Sequence, residues 1–211
     1  AMKYATIDKD HGIGDPAFVD VPSNQILSKN YSAELAERIK RGEKADVSRF
    51  DPSAQCKDTT QISIVDKNGC CVSMTHSLGM PSGVVTEGLG FMYNGCMGVF
   101  DPRPGQVGSI APGKSRFSSI VPSIVFRGDD PYVVIGAPGA TQIAMGVLQA
   151  VINVLDFDCT MSEAVALPRF SATSNAIDVT NRIPHYITSQ LEKLGYEVIR
   201  SPRSFGIAWV H

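Results

Sequence analysis

Few side chains here are of a type and spacing that could break a covalent bond, and most of them are hydroxyls. Thr59 and Thr60 open an apolar–polar alternation, Ser77 follows His76, and Ser118 and Ser119 stand together. A hydroxyl is a weak nucleophile until a base takes its proton. Histidine is the usual base, but His11, His76, His185 and His211 are scattered and no G-x-S-x-G elbow surrounds a serine. A Ser–His–Asp arrangement on His76 or His185 therefore has no motif behind it. Asp66 and Asp101 read as turn-forming acids, and no carboxylate pair stands out for glycosidase-like work. The remaining base for a threonine is its own α-amine, which exists only if the chain is cut before it. An amine pKa of about 8 suits proton transfer around neutral pH. For Thr59 this requires breaking the Asp58–Thr59 bond. The alternative is that Thr59 simply starts a strand, since threonine is an ordinary β-former.

A second feature is Gly136-Ala137-Pro138-Gly139-Ala140-Thr141, set between an apolar run and a helical pattern. A glycine turn into a helix N-terminus directs several N–H groups toward one point and favours an anion. The P-loop lysine and the GxGxxG spacing are both missing, so nucleotide binding is not indicated. Either a tight connection or a site for a developing oxyanion fits. Cys56, Cys70, Cys71, Cys96 and Cys159 make an odd set without C-x-x-C spacing. Neighbouring strand residues face opposite ways, so Cys70 and Cys71 do not share a metal. Neither a metal nor a cofactor is expected.

The elements that must position these groups follow from the pattern. Charge is nearly balanced, 19 basic against 21 acidic residues, which gives no reason to expect nucleic acid or a membrane surface as partner. No apolar run reaches the roughly 20 residues of a membrane helix, and the first residues do not read as a signal peptide. Residues 1–27 read as a winding extended segment. Ser28 caps a surface helix over 29–41 with Tyr31, Leu35 and Ile39 on one stripe and Gly42 as its stop. Residues 43–58 read as a strap running into Thr59. A buried hairpin follows, with Ile62 and Ile64 on one side, Ser63 and Val65 on the other, positive φ at Asn68-Gly69, and a return over 71–76.

Strands are expected at 84–85, around 91–94, at 123–126 and at 132–135, with a long loop over 95–119. Helices are expected over 142–155, after the capping box Thr160-x-x-Glu163, and after Pro184. Final strands are expected at 196–199 and 205–210. The order points to an α+β fold of antiparallel sheet layers with helices outside, rather than a βαβ fold.

Several of these stretches resemble the gamma-glutamyltranspeptidase family of N-terminal-nucleophile hydrolases. Asp58-Thr59-Thr60-Gln61-Ile62-Ser63-Ile64-Val65-Asp66 is similar to the start of the family's small subunit, and Gly14-Asp15-Pro16-x-Phe18-Val19 to the end of its large subunit. Arg116-Phe117-Ser118-Ser119-Ile120-Val121-Pro122 resembles its paired-serine segment. Gly136–Ala140 resembles its glycine turn, and Ala166-x-Pro168-Arg169-Phe170 a further family segment. The resemblance implies a four-layer αββα sandwich, here incomplete, and a proenzyme that cuts itself at Asp58–Thr59. Residues 1–58 would be the end of the large subunit and 59–211 most of the small-subunit catalytic core. Thr59 would be nucleophile and, through its freed amine, base, with Ser77 supporting it. Ser118 and Ser119 would bind the substrate's α-carboxylate, and the Gly139 and Ala140 N–H groups would form the oxyanion site.

The departures concern specificity. The family holds the substrate's α-amino group with Asn, Gln and Asp at positions where this sequence has Gly79, Cys96 and Val99, none of which can pair with an ammonium. The main expectation is a gamma-glutamyltransferase-like enzyme of glutathione metabolism, acting through an acyl-enzyme. One alternative is an acylase for carboxylate-bearing amides without the α-amino group. The other is an uncleaved, inactive fragment that serves as a folded or binding module. The implied partners are a small amide substrate and the rest of a large subunit, and self-association would cover exposed apolar surface. Cytoplasmic and periplasmic locations both remain open.

Overall fold

The computed structural model describes residues 1–47 and 59–211. The described residues form two compact units: residues 1–47, 96–118 and 172–175 make the first, and 59–95, 119–171 and 176–211 the second. The first contains α1 (Met2–Gly12), α2 (Ser23–Ile26) and α3 (Lys29–Lys40), with a 3-10 turn at Cys96–Val99. The expected extended start is therefore corrected to a helix. α1 has almost no apolar face; it buries only Tyr4 and Thr6, and this is why its periodicity gives no signal. Its partner is α3, whose Arg38 guanidinium lies 4.9 Å from the Tyr4 ring centre and whose Tyr31 hydroxyl donates to Asp8 at 2.8 Å. Helix α3 starts as its sequence predicts, with Ser28 Oγ accepting from the Tyr31 N–H, and stops at Gly42, which has φ 80°.

The second unit opens with β1 (Thr59–Val65) and β2 (Cys71–Ser77), paired antiparallel with Thr59 opposite Ser77. Only Gly69 of the turn takes positive φ, at 83°, so the Asn68 part of the expectation is corrected. The Asp66 carboxylate does the shaping, accepting from the Asn68 and Cys70 N–H groups at 2.8 Å each. A second hairpin joins β3 (Pro81–Val85) to β4 (Met92–Asn94), and a third joins β5 (Ser123–Arg127) to β6 (Asp130–Ile135).

The core sits on this third hairpin. From β6 a short turn leads into α4 (Ile143–Leu155), followed by α5 (Met161–Ala166), which the Thr160–Glu163 capping box opens. Val133, Ile135 and Ala137 pack with Ile143, Val147, Ala150 and Val154 of α4, with Ala164, and with Ala208 and Val210 near the C-terminal end. Each fully buried isoleucine contributes about 1.5–3 kcal/mol through lost contact with water. Residues 209–211 lie against 136–138 by backbone bonds (Gly136 N–H to His211 O 3.1 Å, His211 N–H to Gly136 O 3.0 Å, Trp209 N–H to Pro138 O 2.9 Å).

A small sheet completes the unit. It contains β7 (Phe170–Ser171), β8 (Ile177–Val179) and β9 (Val198–Arg200), with α6 (His185–Lys193) between β8 and β9. β8 and β9 run parallel, so one βαβ crossover is present where only antiparallel layers are expected. Strands of two and three residues are too short to show alternation in sequence. Leu194, the C-cap of α6, is 63 % exposed, and the buried residue of that helix is Thr188.

Candidate active site

The β1–β2 hairpin is turned inside out relative to the usual pattern. Its outward row carries Ile62, Ile64, Val72 and Met74, all exposed, with Thr60 and His76 at its open end. Its inward row is Thr59, Gln61, Ser73, Thr75 and Ser77, and Thr75 is buried. Buried polar groups are tolerable only when they are paired, and here they are. Thr75 Oγ1 donates to Gln61 Oε1 at 2.5 Å, and Gln61 Nε2 donates to Ser63 Oγ and Ser73 Oγ at 3.1 Å each. Ser73 Oγ donates to the Ile135 carbonyl at 2.9 Å, and Ser63 Oγ to the His211 carbonyl at 3.3 Å. This network fastens the first hairpin to the end of β6. A Cβ on Gly136 would strike the Gln61 side chain, so only glycine lets the amide lie against the chain there.

At the mouth of the hairpin, Thr59 Oγ1 lies 2.9 Å from Ser77 Oγ. The Ser77 oxygen also accepts the Gly79 N–H at 2.9 Å, and either hydroxyl of the Thr59–Ser77 pair can serve as the donor. Gly79 takes φ 68° as the chain leaves β2. Asp58, the other side of the expected cleavage point, lies outside the described residues, as do Cys56 and the strap from residue 48.

The glycine turn has an unusual backbone. Gly139 has φ 150° and ψ 20°, and Ala140 has φ 52°, a left-handed value that costs a residue with a Cβ about 1 kcal/mol or more. A Cβ on Gly139 would come within 2.7 Å of Ala208 Cα. The turn is pinned on other sides: Ser119 Oγ donates to the Ala140 carbonyl at 2.8 Å, and Trp209 N–H to the Pro138 carbonyl. A 3-10 turn over Ala140–Gln142 then runs into α4.

The second unit thus holds Thr59, Ser77, Gly79, Ser119, Gly139 and Ala140, and links Thr59 directly to Ser77 and Ser119 directly to Ala140. Ser118, Cys96 and Val99 belong to the first unit, the last two in the 3-10 turn. Two hollows are present, and Thr59 is not among the lining residues of either. One of about 480 Å³ is lined by residues from Pro16 to Ser23, and one of about 240 Å³ by Gln142, Asp178, Ser201, Arg203 and their neighbours. Among the described residues no cluster of three metal-binding side chains occurs, and no helix is long and apolar enough to cross a membrane.

Two residues without an expected role stand out. Gln61 reads in sequence only as the polar member of a strand, and Arg169 only as part of a quoted motif. Arg169 is 3 % exposed, and burial, with the charge of Arg182, pushes its guanidinium below the ordinary value. Arg169 lies three residues after α5, and nothing in the local sequence shows what it holds.

A family profile for gamma-glutamyltranspeptidase matches residues 1–210. The acylase ACY 1 proenzyme of Pseudomonas sp. (strain V22) is 33 % identical over 98 % of this chain and 37 % of its own length. The glutathione hydrolase proenzyme of Escherichia coli (strain K12) is 31 % identical over 81 % of this chain and 32 % of its own length. Among solved structures, the cephalosporin acylase of Bacillus halodurans matches 99 % of this chain and 38 % of its own with a TM-score of 0.85; at 23 % identity this is a likeness of fold. The chain spans about a third of the length of the curated relatives it matches. With a profile match over nearly every residue, the chain belongs to the gamma-glutamyltranspeptidase family.

Proposed function

We propose that residues 59–211 carry the acyl-transfer centre of a gamma-glutamyltransferase-like enzyme, within a four-layer αββα sandwich to which residues 1–58 contribute the end of the large subunit. The observation that carries this reading is the 2.9 Å contact between Thr59 Oγ1 and Ser77 Oγ at the first position of β1. Cleavage of Asp58–Thr59 gives Thr59 a free α-amine. The amine takes the hydroxyl proton as Oγ1 attacks the substrate carbonyl, forming a Thr59 ester and breaking the amide C–N bond once the leaving amine receives that proton. Water or an amine then attacks the ester and regenerates the hydroxyl. Ser77 stabilises the developing charge on Oγ1, and the Gly139 and Ala140 N–H groups stabilise the oxyanion.

Ser118 and Ser119 are assigned to the acyl group's carboxylate. For Ser119 this means releasing the bond its hydroxyl makes to Ala140, so binding and oxyanion geometry are coupled through that side chain. The direct test is trapping. A rapid acid quench during turnover of a chromogenic amide, followed by peptide mapping, is expected to find the acyl mass on the peptide that begins at Thr59. An adduct elsewhere refutes the assignment.

A second reading concerns the acyl group. Gly79, Cys96 and Val99 offer nothing that pairs with an α-ammonium, and one relative is an acylase. The substrate on this reading is an amide whose acyl group keeps a distal carboxylate but lacks the amine. Glutaryl p-nitroanilide is then expected to be hydrolysed faster than its γ-glutamyl counterpart, and a strong preference the other way eliminates the reading. The left-handed φ at Gly79 accepts asparagine at small cost. Gly79→Asn is therefore expected to shift the ratio toward the γ-glutamyl compound by about tenfold, the size of one good hydrogen bond.

A further inference from the structure

Arg169 is buried, yet every bond the structure gives its guanidinium ends on a backbone carbonyl. Nε donates to Ile207 O at 3.1 Å, Nη2 to Ala208 O at 3.1 Å, and Nη1 to Val165 O at 2.8 Å and to Leu167 O at 3.5 Å. Burying a cation costs several kcal/mol unless it is well hydrogen-bonded, and an apolar side chain would fill this space without that cost. The planar fork does what an apolar group cannot: it grips two successive carbonyls of one segment while anchored on the end of α5.

The gripped segment is unusual. Ala208 has φ 45°, one of only three residues other than glycine described with positive φ. Ala140, in the glycine turn, is another. The same Ala208 forms the floor beneath that turn: its Cα would meet a Cβ on Gly139 at 2.7 Å, and its methyl a Cβ on Gly146 at 2.6 Å. The next residue, Trp209, donates its N–H to the Pro138 carbonyl at 2.9 Å. A strained conformation persists only where its surroundings over-determine it. Here the grip on the Ile207 and Ala208 carbonyls is in place to do so, directly beneath Gly139.

We infer that Arg169 is a positioning residue for the oxyanion turn: by clamping the Ile207 and Ala208 carbonyls it holds Ala208 in its left-handed conformation against Gly139, and so fixes the aim of the Gly139 and Ala140 N–H groups. It acts through Ala208 and touches no substrate. The inference rests on the assignment of those N–H groups as oxyanion donors.

The test uses whichever of γ-glutamyl and glutaryl p-nitroanilide the protein hydrolyses faster, with its thioanilide counterpart, because sulfur fits an oxyanion site built for oxygen poorly. The unmodified protein is expected to favour the oxo substrate strongly. If it shows no such preference, the oxyanion reading of the turn is wrong and the role of Arg169 falls with it. Given the preference, Arg169→Lys, which keeps the charge but loses the fork, is expected to lower kcat by ten- to a hundredfold with KM nearly unchanged, and to shrink the oxo-over-thio ratio. Millimolar guanidinium is expected to restore part of kcat to Arg169→Ala. Ala208→Gly keeps the left-handed backbone accessible and removes only the methyl, so it reports on the same contact if the arginine variants fail to fold. It is expected to lower kcat several-fold and to reduce the ratio. An unchanged kcat and ratio in Ala208→Gly, or in a folded Arg169→Lys, overturns the inference.

Discussion

Two hairpins of the same unit solve opposite problems. In β5–β6 the inward residues Val133 and Ile135 are apolar and at most 2 % exposed, and the outward Phe126 and Tyr132 are left in solvent. In β1–β2 the inward residues are hydroxyls and an amide, and the aliphatic row lies outside. The first arrangement anchors a core. The second orders a row of hydroxyls: Thr59 stands at the end of the row that continues through Gln61, and its partner Ser77 at the end of the row with Ser73 and Thr75. An apolar lining would give Thr59 Oγ1 nothing to bond. The polar lining is affordable because Gln61 satisfies three neighbours at once and the Ile135 carbonyl of β6 accepts from Ser73.

The largest effect is expected where the apolar hairpin hands over to the helix. Gly139→Ala puts a methyl against Ala208 and an L side chain at φ 150°. It is expected to lower stability by about 2–4 kcal/mol, and kcat by roughly a hundred- to a thousandfold, read by thermal melting and steady-state kinetics. Ser77→Ala is expected to lower kcat by about ten- to a hundredfold with a small change in melting temperature, since it removes one hydrogen bond to a reacting oxygen. Equal losses of stability in the two variants would erase the distinction between a hairpin that anchors and one that reacts.

The smallest effects probe the faces themselves. Val133→Thr buries a hydroxyl in the core and is expected to cost about 1–3 kcal/mol by chemical denaturation. Ile64→Thr, at a position 51 % exposed, is expected to stay within about 0.5 kcal/mol in the 211-residue chain. If Ile64→Thr proves as costly as Val133→Thr, the outward row is covered and the contrast is lost.

Elements with a local chemical signature were legible in the sequence: the Ser28 cap, the Thr160–Glu163 box, the Gly69 turn and the broad apolar face of α4. The helix at Met2–Gly12 was not, because almost none of its residues is buried and its stripe is nearly absent. The parallel β8–β9 pair was not, because strands so short carry no period. In the site, the hydroxyls and the glycine turn were visible as open candidates, and it was the resemblance to the family that singled out Thr59, Ser77 and the Gly139–Ala140 turn. The inversion of the β1–β2 faces was hidden, since alternation shows that two faces differ but not which one turns inward. Arg169 and Ala208 lie far from the turn in sequence, and nothing local marks them as its floor.

Everything assigned to Thr59 depends on its becoming a chain start. N-terminal sequencing of the protein's fragments, separated under denaturing conditions, tests this most directly. The account predicts a fragment beginning Thr-Thr-Gln-Ile-Ser, the sequence of residues 59–63, and its disappearance in Thr59→Ala. A single uncut chain, or the same cut persisting in Thr59→Ala, would contradict it.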